Sequence, residues 1–262
     1  MKYTYYLTSL ILLLLLGCST ENNNQEQAND NEDNTPNTIG NKAGTGTSSK
    51  DLLSDDVFTS MIVELVYVEG YEPTQKAINN FKSFMEVRVH KPNGITIEKK
   101  AIPSPGKDRY STQDIITIED DNRTKFNNSN TIAVWAFFVD GESDRKSNSS
   151  VVLGTAYRNT SFVIFEKTIQ GLSDNPLEPN RSVLETTVIT HEVGHILGLT
   201  DLGADMVQNH EDDTHAKHCN VESCLMYWSA ETGDGLSNLI GTSAAPQLDA
   251  HCIADLQANG GK

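Results

Sequence analysis

Apolar positions along this chain fall into blocks that read in turn as strands and helices. Residues 61–68 (MIVELVYV) form a β-branched and apolar run suited to a buried strand. Beyond Pro73, which suits a helix start, Ala77, Ile78, Phe81, Phe84 and Met85 fall on one amphipathic helical face. Residues 95–102 (ITIEKKAI) begin with a clear alternation after Asn93 and Gly94, which predicts a strand. Ile115, Ile116 and Ile118 fit a strand or a helix equally well. Residues 131–140 (TIAVWAFFVD) are almost continuously apolar and rich in β formers, the mark of a central strand. Residues 150–157 and 161–169 read as two further strands joined by the polar turn Arg158, Asn159, Thr160, and a last helix follows Pro246 with Leu248, Ile253 and Leu256 on its buried side.

Between these last blocks the period changes. Val183, Leu184, Thr187, Val188, Val193, Ile196 and Leu197 recur at helical spacing, and Gly198 supplies a helix stop. The order of strands and helices predicts an α/β domain, a mixed twisted sheet with this helix packed below it. The helix carries HEVGHILGL at residues 191–199. Four residues apart, His191 and His195 project from one helical face and can reach one zinc ion, with Glu192 beside them as general base.

Composition changes the picture at the ends of the chain. Residues 1–17 pair Lys2 with an apolar run from Leu10 to Leu16, too short to span a membrane and shaped like an export signal. Its end, Leu15, Leu16, Gly17 and Cys18, resembles a bacterial lipobox. That resemblance implies a lipidated Cys18 and an exported lipoprotein held at an outer membrane or cell surface. Residues 18–50 are rich in Asn, Gly, Ser, Thr and acids, with almost no bulky apolar side chain, and read as a flexible tether. The folded domain is then expected over residues 51–262. A formal net charge of −16 argues against nucleic acid as a partner, because a phosphate backbone would be repelled.

A catalytic zinc needs a third protein ligand and an open position for water. Asp201 lies six residues beyond His195, within reach of a turn at Gly198, and His218 lies later, in HCNVESCLM at residues 218–226. His210 and His215 are further candidates, in a segment dense in His, Asp and Glu whose plainer reading is a solvated acidic loop. Cys219, Cys224 and Cys252 could give one disulfide and a free thiol, or join a histidine around a structural zinc; the short loop favours a Cys219–Cys224 disulfide.

The run from His191 through HCNVESCLM resembles the metzincin clan, and within it the archaemetzincin family, whose pattern is HExxHxxGLxHC, four residues, a second Cys and a Met turn. Here an insertion of 17 positions displaces the histidine. The resemblance spans roughly residues 150–230 and implies a metzincin-like zincin fold, His218 as third ligand and Met226 as the hydrophobic floor beneath zinc. It also implies that an extended peptide pairs with the strand at 151–157. Of the family's downstream cysteine pair only Cys252 is present, which speaks against a second structural zinc. The expectation is a membrane-anchored zinc metalloendopeptidase acting on peptide or protein. The alternative is a non-catalytic surface lipoprotein whose metal-stabilised domain binds a peptide or glycan.

Overall fold

The structure, a computed structural model, describes residues 40–145 and 151–262. The expected signal segment, Cys18 and most of the expected tether lie outside the described residues. In chain order the elements are α1 (Ser49–Leu53), β1 (Ser60–Val68), α2 (Gln75–Glu86), β2 (Ile95–Ile102), β3 (Arg109–Tyr110), α3 (Thr112–Asn122), β4 (Thr131–Phe138), β5 (Glu142–Ser143), β6 (Gly154–Arg158), β7 (Ser161–Ile164), α4 (Glu166–Gly171), α5 (Arg181–Ile196), α6 (Leu236–Leu239) and α7 (Ala250–Ala258).

Five strands make one mixed sheet in the order β2-β1-β4-β7-β6, in which β6 alone is antiparallel and forms an edge. β4 is central and buried on both faces, as its near-continuous apolar sequence predicts. Its alternate residues feed two cores: Val134, Ala136 and Phe138 pack towards α2 and α5, while Trp135 and Phe137 pack with Tyr110 and Ile115 on the other face.

One open alternative is decided and two expectations need correction. The isoleucine-rich segment is the helix α3, because Ser111 and Asp114 form a reciprocal capping box that nucleates it. The strand expected over 161–169 ends at Ile164: Thr168 and Ile169 donate to the Phe165 carbonyl, starting α4. The domain also begins before residue 51. Asn41 is buried, its amide donating to Asn127 Oδ1 at 2.9 Å and to the Ala133 carbonyl at 3.0 Å, and Ser49 Oγ donates to the Leu197 carbonyl at 2.6 Å. A polar stretch can join a core when its polar atoms are satisfied there, which composition does not reveal.

α5 is buried from Ser182 to Ile196. Its threonines tolerate this because Thr186, Thr187 and Thr190 each donate a hydroxyl to the carbonyl four residues back. Glu185 of α5 and Glu166 of α4 are also fully buried; Thr74 and Arg181 serve Glu185, and Gln170 donates to Glu166 at 3.2 Å. Burial, then the Glu185 charge, pushes the Glu166 carboxyl up to about 9. The stability from this protonated acid is full below its unfolded pKa and is lost as pH rises through about 9. Glu166→Gln should therefore stabilise the fold at pH 8–9 by roughly 1–3 kcal/mol and flatten the dependence of Tm on pH. Thermal unfolding from pH 5 to 9 checks this; parallel curves for the two proteins would count against it.

Candidate metal centre

α5 starts at Asn180, whose side chain accepts from Ser182 N, and stops where Gly198 takes a φ of 89° and Leu199 N returns to the Gly194 carbonyl at 3.1 Å. The last two turns hold His191 and His195 side by side, with their Nε2 atoms 3.1 Å apart. His218 arrives from the far side of the long loop, its ring 5.3 Å from that of His191 and 5.2 Å from that of His195. Asp201 is elsewhere: its side chain is 61% exposed and near Lys217, and it is not among the gathered ligands.

The hydrogen bonds select the nitrogens that face inward. His191 Nδ1 lies 2.8 Å from the Leu225 carbonyl and His218 Nδ1 lies 3.1 Å from that of Ala216. Each Nδ1–H donates there, which leaves Nε2 as a lone-pair ligand. Burial pushes His191 down to about 4 and His195 well below its ordinary range, so both are neutral at pH 7, the form that binds metal. His218 Nε2 is buried with no hydrogen-bond partner, as are both carboxylate oxygens of Glu192. Burial, and then the Glu231 charge, holds the Glu192 carboxyl well above the usual carboxylate range. Three imidazole nitrogens aimed at one point, beside unpartnered buried oxygens, fit a zinc-type ion.

Met226 is fully buried beneath this cluster. A Cβ on Gly194 would lie 2.2 Å from its Sδ, so only glycine lets the sulfur tuck under the histidine helix. The carbonyl of the neighbouring Leu225 is the one that orients His191, so the turn serves the site twice. β6 runs along the upper rim, and a cavity of about 170 Å³ lies between its Thr155 and Ala156 and the side chains of Glu192, His195 and Lys217. A larger cavity of about 630 Å³ opens beside the Met turn, lined by Leu184, Val221, Tyr227, Ala230, Leu239 and Pro246 among others.

Two features depart from the preferred sequence reading, the second of them towards the alternative it offered, cysteines joining a histidine. Glu231, in the 3₁₀ turn Trp228–Glu231, brings a carboxylate oxygen within 3.8 Å of His191 Nε2 and another within 3.5 Å of His218 Nε2. No spacing rule links it to the histidines. The cysteines supply the second. Cys219 and Cys224 do not form the expected disulfide; they and Cys252 are free and buried. Cys224 Sγ lies 3.6 Å from Cys252 Sγ, and His210 Nδ1 lies 3.3 Å from Cys219 Sγ, with Asp249 close by. His210 Nε2 meets Asp255 Oδ2 at 2.7 Å, the outer partner a ligating histidine commonly has. Backbone N–H groups of Met226 and Asp249 point at Cys224 Sγ, and hydrogen bonds from Cys219 and Cys252 hold its thiol well below the usual range. The acidic insert thus contributes a buried histidine to a soft-donor cluster.

The fold and site together define a mixed α/β domain in which two histidines of a buried helix meet a third histidine and a glutamate from the following loops. No protein-family model matches the sequence, and no curated protein matches it. Among solved structures, the chain is similar to an archaemetzincin from Methanopyrus kandleri, with 16% sequence identity and a TM-score of 0.48 over 77% of this chain and 96% of that one. It is also similar to a zinc-dependent peptidase from Methanocorpusculum labreanum, with 11% identity and a TM-score of 0.44 over 74% of this chain and 99% of that one. Against metalloproteinase-II from Bacteroides fragilis the identity is 14% and the TM-score 0.36, over 79% of this chain and 54% of that one.

Proposed function

We propose that the chain is a zinc metalloendopeptidase of archaemetzincin type, anchored to a membrane as an exported lipoprotein through Cys18. The observation that carries the catalytic reading is the convergence of His191, His195 and His218 beside the unpartnered carboxylate of Glu192. Zinc held there supplies a Lewis acid for the scissile carbonyl and lowers the pKa of water in the site. Glu192 takes the proton of the attacking water and passes it to the leaving amine. The free edge of β6 pairs with an extended peptide, and the cavity beside the Met turn takes an apolar side chain.

One observation favours the second reading, a metal-stabilised binding lipoprotein: Glu231 adds a fourth protein donor, and structural zinc sites are closed. Against it, a purely structural site has no use for a buried, unpartnered base. Digestion of a peptide library by the zinc-loaded chain, with and without chelator, separates the two readings. Chelator-sensitive cleavage is expected from the wild type or, where Glu231 closes the site, from a Glu231→Gln variant; absence of products from both would favour the binding reading.

We also infer a second, structural metal held by His210, Cys219, Asp249 and Cys252, whose donor atoms all lie within 4.8 Å of one another, with Cys224 beside Cys252. Such a site ties the insert and the Met turn to α7, so its loss should loosen the floor beneath the histidines. Cys252→Ser should lower the metal content from about two to about one ion per chain and cost several kcal/mol of stability. Metal analysis and thermal unfolding check this, and an unchanged metal content would remove the second site.

A further inference from the structure

Glu231 is held from behind. Leu153 N donates to its carbonyl at 2.8 Å, Thr232 and Val152 form an antiparallel bridge, and Gly233 N donates to the Val151 carbonyl at 3.2 Å. The segment after the Met turn is therefore stitched to the chain entering β6, the edge that a peptide would use. From that stem the carboxylate reaches the histidine cluster, and its ion-pair partners among the described residues are His191 and His218.

The distances approach those of a coordination shell. Zinc bonds of ~2.0–2.2 Å place neighbouring donors of a tetrahedron ~3.3–3.6 Å apart. Here the separations bracket that range: 3.1 Å between the Nε2 atoms of His191 and His195, 3.5 Å from His218 Nε2 to one oxygen of Glu231, and 3.8 Å from His191 Nε2 to its other oxygen. All four donor atoms lie within 4.8 Å of one another.

We propose that Glu231 is the fourth protein ligand of the metal in the resting chain, occupying the position that water must take for hydrolysis. The peptidase is then latent by its own Glu231, and becomes active when the segment from Trp228 to Gly235 leaves Val151–Leu153. The proposal rests on the reading that the three histidines hold a metal. It reconciles a closed coordination shell with a retained base: the closed state is the stored form and the base belongs to the open one.

The test uses the full chain loaded with cobalt and azide as a small exogenous ligand. The visible spectrum of the wild type should be indifferent to azide, while Glu231→Gln and Glu231→Ala should change on its addition. Zinc affinity, measured by chelator competition, should fall at least tenfold in Glu231→Ala. Glu231→Asp, which keeps the charge but shortens the reach, should follow the glutamine variant. Azide binding by the wild type as readily as by the variants would overturn the proposal, and this arm needs no substitution to fold. A zinc affinity within twofold of the wild type in Glu231→Ala would also overturn it. If the azide pattern holds but no variant cleaves peptide, the ligand assignment stands and the peptidase reading falls.

Discussion

Glu192→Gln is expected to cut peptide hydrolysis by roughly 10²–10⁴-fold while leaving metal content unchanged. Glu192 is fully buried, and neither carboxylate oxygen has a hydrogen-bond partner, so the group is not needed to hold α5 in place. Glutamine has the same shape and carries no charge, and it cannot accept the water's proton. The rate is best compared in the wild type and in the Glu231→Gln background, where the site has an open position. Hydrolysis within a few fold of the parent, with full metal content, would remove Glu192 from the mechanism. A loss of metal alongside activity would instead make it a ligand.

The second large effect concerns the third histidine. His218→Ala should weaken zinc binding by about a hundredfold or more, because it removes a ligand whose Nε2 is buried without a hydrogen bond and aimed by its Nδ1 contact. Asp201→Asn should leave affinity near that of the wild type. Asn is the right probe there, because Asp201 has a φ of 59°, a conformation that asparagine tolerates and alanine does not. Chelator competition on the two variants decides between them; equal losses would mean that the loop carrying Asp201 moves into the site when metal binds.

How much was readable in the linear chain depended on how local the deciding physics is. β1, β2 and β4 were legible because a strand buried on one or both faces writes its environment into its own side chains. α3 is ambiguous by period, and its start signal lies in the capping residues Ser111 and Asp114. The break between β7 and α4 was illegible, since an apolar run serves a buried strand or a buried helix equally well. The segment from Gly40 to Lys50 misled for the opposite reason: its composition is that of a tether, and only partners such as Asn127 and Thr160, far along the chain, make it part of the core. The disulfide expectation failed in the same way, for sequence separation between Cys219 and Cys224 carries no information about Cys252 and His210.

The sequence by itself determined the half of the site that one helix can build. An i, i+4 pair on a 3.6-residue helix places His191 and His195 on one face by backbone geometry alone, with Glu192 between them. The tertiary structure decided the rest: His218 rather than Asp201 at the cluster, Met226 beneath Gly194, the His210 and cysteine cluster, and Glu231 facing the histidines. These groups meet across loops whose course is set by long-range packing and hydrogen bonding, and no local periodicity encodes where such loops end.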